Sequence, residues 1–286
     1  MLLSLCTKAG DVKVEFITPT IVRVQWSADG SLPGNGTGAC IYQKQKEISK
    51  SKELAVEVDK QDGTVTFTDR HTGKTLLKEQ WRKSEPVVQE RIVYDDATAR
   101  MEETANGKVT VKDIIRRDTI GESTRYISHF SCPGTKALYG LGAHMEDYMN
   151  LMGKTLWLTQ HNLKVTIPVL LSPQGYGLLF DAGCAMKYSS EGQEFTMQME
   201  AARQLDYYFI KGERMENIVE GYRYLTGKAQ LLPLYAFGYI QSKERYVSSD
   251  DLIGTMREYR RRHVPIDMIV QDWNYWPEGW GYMKMN

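Results

Sequence analysis

The 286-residue sequence is short of cysteine, carries no net charge and contains no long apolar run. Each shortage removes a class of function. The four cysteines, Cys6, Cys40, Cys132 and Cys184, stand far apart without a C-x-x-C pair. That argues against metal or redox use and for buried free thiols. Lys plus Arg and Asp plus Glu both number 36, giving a formal net charge of zero. With no basic stripe or interleaved Arg/aromatic tract, nucleic acid is not an expected partner. No stretch approaches the roughly 18 apolar residues of a membrane-spanning helix, so no membrane contact is expected either. Gly140-Leu141-Gly142 lacks both the full G-x-G-x-x-G pattern and a following helix, and there is no G-x-S-x-G element. His144 and His161 lack metal-ligand spacing. No cofactor is implied.

The opening Met1-Leu2-Leu3-Ser4-Leu5-Cys6 loosely echoes the end of a bacterial lipoprotein signal. It has no basic n-region and is too short for an apolar h-region. With Met1 as the true start the expected compartment is the cytoplasm; with a truncated N-terminus it is the periplasm or a surface lipoprotein.

What is present is mostly β pattern. Val12–Ser27 alternates apolar and polar residues around a Thr18-Pro19 break. Leu54–Asp59 and Thr64–Asp69 join across Gln61-Asp62-Gly63, a hairpin signal. Further runs lie at Val109–Ile115, Arg125–Ser131, Leu156–Thr159, Val165–Leu171, Gly177–Asp181 and Phe195–Ile210. So many strands with little helix predict an antiparallel β-sandwich of about two hundred residues. From Glu213 the period changes: Met215, Ile218, Val219, Tyr222 and Leu225 fall at helical spacing, and Gly227 stops the helix.

Beyond Pro233 the pattern is β-α-β. A buried strand (Ala236–Gln241) leads to a helix (Ser249–Arg262) that Ser248 or Ser249 can cap, then to a second strand (Asp267–Gln271). That strand ends in Asp272-Trp273-Asn274-Tyr275-Trp276, at the carboxyl end where α/β folds place their sites. Aromatic faces stack on the apolar C–H faces of sugars, and carboxylates and amides hydrogen-bond their hydroxyls. A buried aromatic patch with Asp272 capping a loop fits the same residues. Glycoside hydrolysis normally needs two carboxyl groups at a fixed separation. Asp272, Glu278 and Glu244 are the carboxylates near these strand ends, and nothing in the sequence pairs two of them.

Five stretches carry a resemblance to glycoside hydrolase family 31, the α-glucosidase and α-xylosidase family. They are Ala137–His144, Gly153–Asn162, Ile167–Asp181, Leu232–Tyr246 and Val264–Trp276, in the family's order. The resemblance implies mainly β plus α/β structure. Residues 1–230 would form an N-terminal antiparallel, galactose-mutarotase-like β-sandwich with a linking helix near 213–227. Residues 231–286 would begin a (β/α)8 catalytic barrel, incomplete at this length. The implied activity is retaining hydrolysis of α-linked oligosaccharides or glycosides without a metal or cofactor. Asp272 resembles the family's sugar-positioning aspartate, and Asn274 stands at a specificity position. Trp273 and Trp276 flank them. Tyr246 and Trp280 resemble aromatic positions lining the pocket, and His161 lies in a sandwich loop leaning over it. The Q-D-W-x-Y-W form and the S-K-E-R-Y run look most like bacterial enzymes acting on xylosides. The nucleophile and the acid/base sit on later barrel strands, so no catalytic residue is assigned and the chain alone is expected to be inactive. A carbohydrate-binding β-sandwich and a non-catalytic scaffold are the competing readings. Homo-oligomerisation of the full-length protein is left open.

Overall fold

The computed structural model describes residues 2–7, 10–30, 32, 34, 36–42, 48, 50–104 and 107–272. They divide into two compact units, Met1–Lys228 and Ala229–Asn286.

The first unit opens with β1 (Leu2–Thr7), β2 (Gly10–Thr18) and β3 (Ile21–Ser27). The hairpin β4 (Leu54–Val58) and β5 (Val65–Asp69) runs on into the twenty-residue β6 (Thr75–Tyr94). A small hairpin, β7 (Arg100–Thr104) and β8 (Gly107–Val111), precedes the returning β9 (Ile114–Ser131). Then come β10 (Tyr139–Ala143), β11 (Thr155–Leu158), β12 (Val165–Ser172), β13 (Tyr176–Phe180), β14 (Met186–Glu191), β15 (Glu194–Ala202) and β16 (Leu205–Lys211). Two seven-stranded sheets result, ordered β1-β2-β3-β16-β13-β12-β10 and β11-β14-β15-β9-β6-β5-β4. Every recorded pairing within them is antiparallel.

The alternation read from the sequence places one face of each sheet inward. Val12, Val14, Val22, Val24 and Trp26 of the first sheet meet Phe67, Phe130, Phe195 and Met197 of the second in one buried cluster. Phe67 stacks on Phe209 across the sandwich, with centroids 4.0 Å apart and planes 2° from parallel. Each such side chain contributes roughly 1.5–3 kcal/mol on burial. The outer face of the first sheet is covered in part by α1 (Met215–Thr226), whose Ile218 and Leu225 pack with Ile17, Ile21, Val169 and Ile210.

The sequence run Phe195–Ile210 is two strands, not one. Arg203 and Gln204 separate β15 in the second sheet from β16 in the first, so the chain changes sheets there. Leu2–Thr7 is a strand paired with β2.

The second unit contains β17 (Ile240–Lys243), α2 (Ser249–Arg261) and β18 (Met268–Gln271), and its two strands are parallel. Ser248 is the cap of α2: its Oγ accepts from Asp251 N–H at 3.2 Å, while Asp251 Oδ2 accepts from Val247 N–H at 3.0 Å. This reciprocal pair satisfies two backbone donors. The first strand starts later than the sequence predicts and is not buried. Leu234–Phe237 forms a single 3-10 turn led by Pro233, and Ile240 is 40 % exposed. Proline fixes the entry and cannot supply a ladder donor, so extended pairing begins only beyond Gly238.

Candidate functional site at the parallel strand ends

The parallel register sets Lys243 opposite Gln271, so the loop after β17 and Asp272 leave the sheet at the same end. The Tyr246 N–H donates to Gln271 Oε1 at 3.0 Å, which fastens that loop beside the end of β18. The Tyr246 ring is packed down, with the residue only 5 % exposed, and Lys243 Nζ lies 5.2 Å from its centroid. Its hydroxyl finds no hydrogen-bond partner among the described residues. Asp272 is exposed. Tyr246 and Asp272 therefore flank the same strand terminus. Trp273, Asn274, Trp276 and Trp280 lie outside the described residues.

The opposite end of the strand pair is braced. Asp267 Oδ2 accepts from Tyr239 N–H at 3.1 Å, and Tyr239 O accepts from Asp267 N–H at 2.9 Å. A β-carbon at Gly238 would sit 2.0 Å from Asp267 Oδ2, so only glycine leaves room for this clasp. Between the ends, Gln241 Oε1 accepts from both Tyr239 and Tyr259 hydroxyls, at 2.5 and 2.7 Å. The contact with Tyr239 raises the Tyr259 phenol above its ordinary pKa. This cluster ties β17 to α2. A polar Gln241 inside a predicted buried strand was the signal that could have exposed it.

His161 belongs to the sandwich unit. It is exposed and forms an isolated β-bridge with Lys164. Beside it, Gln160 clamps the loop: Nε2 donates to Lys164 O at 2.5 Å and Oε1 accepts from Thr166 N–H at 3.0 Å. Gln160 and Thr166 also line a cleft of about 390 Å³ together with Thr159, Pro168 and Met186. Among the described residues no group of three or more His, Cys, Asp or Glu side chains is arranged to hold a metal. No helix among them is long and apolar enough to cross a membrane.

Two antiparallel seven-stranded sheets, followed by a parallel β-α-β unit with a carboxylate beyond its strand end, define a β-sandwich joined to the start of a (β/α)8 barrel. Residues 11–188 match the glycosyl hydrolase 31 N-terminal galactose mutarotase-like domain, and residues 229–286 match the glycosyl hydrolases family 31 TIM-barrel domain. The chain belongs to glycoside hydrolase family 31. It is 30 % identical over 294 residues to an alpha-xylosidase of Saccharolobus solfataricus, covering 96 % of this chain and 36 % of that enzyme. A solved alpha-xylosidase from Xanthomonas citri superposes with a TM-score of 0.77 at 19 % identity, over 100 % of this chain and 46 % of its own. One from a soil metagenome, complexed with xylose, gives 0.73 at 25 % identity, over 96 % and 41 %. The chain thus spans less than half the length of each of these relatives.

Proposed function

We propose that these residues are part of a retaining α-glycosidase that hydrolyses terminal α-linked sugars, with xylosides favoured over glucosides. The observation that carries this reading is the placement of Tyr246 and Asp272 at the same end of the parallel strands, within the segment that matches the family's barrel. Asp272 is assigned to hold sugar hydroxyls. By the family resemblance Trp273, Trp276, Tyr246 and Trp280 supply the pocket's aromatic surface, and His161 is assigned to substrate binding. Asn274 is assigned to the specificity position, where many family α-glucosidases carry an aspartate that reads the glucose, including the C6 arm that a xyloside lacks. The xyloside preference is further supported by the similarity to the Saccharolobus solfataricus alpha-xylosidase.

Retaining hydrolysis needs a nucleophilic carboxylate and an acid/base about 5–5.5 Å apart. By the same resemblance both sit on later barrel strands, so residues 1–286 alone give no turnover. The test is to titrate the purified 286-residue chain with methyl α-xyloside and methyl α-glucoside, following tryptophan fluorescence, and to assay the nitrophenyl glycosides in parallel. Expected are saturable binding with xyloside ahead, loss of binding in Asp272→Ala, and no turnover. Tighter glucoside binding overturns the preference. Unchanged binding in Asp272→Ala overturns its role, and turnover above that control overturns the claim of inactivity.

A further inference from the structure

The recorded ladder between β17 and β18 ends at the Lys243–Gln271 pair, and Tyr246 lies beyond it on the following loop. A backbone amide past the end of a ladder must find another acceptor or bear the cost of going without one. Tyr246 is mostly buried, and its N–H is met by a side chain, Gln271 Oε1 at 3.0 Å. The next amide, that of Val247, is taken by Asp251 Oδ2 in the first turn of α2, at 3.0 Å. Two consecutive amides of the loop are thus held by side chains, one rooted in β18 and the other in α2.

The two anchors set different things. Asp251 works with Ser248 in the cap of α2 and serves the helix. Gln271 is the last residue of β18 and directly precedes Asp272. Its backbone fixes where Asp272 leaves the sheet, and its side chain fixes where Tyr246 returns to it. The two substrate residues assigned above stand on different elements, and this one glutamine is the link between them. A side-chain carbonyl suits the task, since it accepts without bringing a charge beside Asp272. Gln241 on β17 uses its Oε1 in the same way, on the Tyr239 and Tyr259 hydroxyls.

We propose that Gln271 is a positioning residue of the sugar site: it sets the placement of Tyr246 relative to Asp272 and so governs affinity for an α-linked substrate that it does not itself touch. The inference rests on the glycosidase reading. A polar group displaced by an ångström loses much of its effect on a bound ligand, so the loss of one strut should be felt in binding before it is felt in folding.

Three 286-residue proteins test it: the wild type, Gln271→Met, which keeps the length and loses the acceptor, and Gln271→Glu, which keeps an acceptor and adds a charge that its register partner Lys243 offsets. Gln271→Met should bind methyl α-xyloside roughly fivefold or more weakly, with faster hydrogen exchange at the Tyr246 amide and a near-ultraviolet circular dichroism spectrum like that of the wild type. Gln271→Glu should restore both affinity and protection. Equal affinity in Gln271→Met, or weakened binding that Gln271→Glu does not repair, overturns the proposal. Should Gln271→Met fail to fold, the wild type decides: a protected Tyr246 amide supports the strut, and one exchanging at the rate of unstructured chain overturns it. No xyloside binding by the wild type counts against the glycosidase reading instead. The Tyr246 amide then decides alone, and protection equal in all three proteins overturns the positioning role.

Discussion

Arg23 of β3 and Asp206 of β16 form a bidentate ion pair beneath the surface of the first sheet, with Nε–Oδ1 at 2.9 Å and Nη2–Oδ2 at 2.6 Å. Asp206 is wholly buried, and the Gln25 and Gln204 side-chain amides add donors to Oδ2 at 3.1 and 2.8 Å. Burial pushes the Asp206 carboxyl up in pKa, and the guanidinium opposes that push. Removing one partner leaves a buried charge without its counter-ion. Asp206→Leu and Arg23→Met should therefore each cost about 3–5 kcal/mol, whereas the two combined should cost far less than the sum of the single losses. Urea unfolding of the four proteins measures the coupling. Additive losses would sink the account.

Acid sensitivity has a nameable source. Lys211 Nζ, itself buried, reaches Asp69 Oδ2 at 3.0 Å. Partial burial raises the Asp69 pKa, but the Thr72 N–H, Lys211 and the His71 N–H outweigh it and bring it to about 2. A carboxylate depressed on folding stabilises the native state above its unfolded pKa of about 3.9 and loses that contribution as pH falls towards 2. The shift corresponds to at most about 2.5 kcal/mol. Asp69→Asn should lower stability near neutrality by up to that amount and match the wild type near pH 2. Unfolding midpoints from pH 2 to 7 check it; a gap that persists at the acid end contradicts the assignment.

The sandwich was legible because its strands alternate. Val12–Ser27 resolved into β2 and β3 around Thr18-Pro19, and Gln61-Asp62-Gly63 marked the turn between β4 and β5. β6 was not legible beyond Lys78, since Trp81–Tyr94 mixes charged and apolar residues without the clean alternation of a one-sided strand. Its outer half packs on no core, and periodicity reports only burial. The strand ends show the same division. The position of Asp272 just beyond β18 was readable because an apolar strand ended on it, while the Tyr239–Gln241–Tyr259 cluster depends on a helix returning over β17, a tertiary fact with no local pattern.

Gly140, Leu141 and Gly142 all have positive φ, 101°, 63° and 104°, where β10 bulges against β12. A β-carbon at Gly142 would lie 2.0 Å from Val165 O. Nothing flexible can yield there, because the obstacle is backbone. Gly142→Ala should lower stability by about 1–3 kcal/mol or more through this conformational penalty and clash. The buried Leu141 beside it should lose amide protection first. A thermal midpoint equal to wild type would contradict the inference.

Tyr246 separates two ways a tyrosine can serve the strand ends. Its hydroxyl is enclosed without a protein partner among the described residues, while its ring is packed down with Lys243 Nζ over it. Deleting only the hydroxyl removes an unsatisfied polar group, so Tyr246→Phe should leave stability within about 1 kcal/mol of wild type or improve it. Removing the ring opens a cavity, and Tyr246→Ala should cost about 3–5 kcal/mol. If the ring alone supports the site, affinity for methyl α-xyloside survives in Tyr246→Phe and is lost in Tyr246→Ala. Melting and binding measured on the same preparations divide the outcomes. Affinity lost in Tyr246→Phe at unchanged melting would mean that the hydroxyl turns out to meet the sugar, and the packed position of this ring would then have to open on binding.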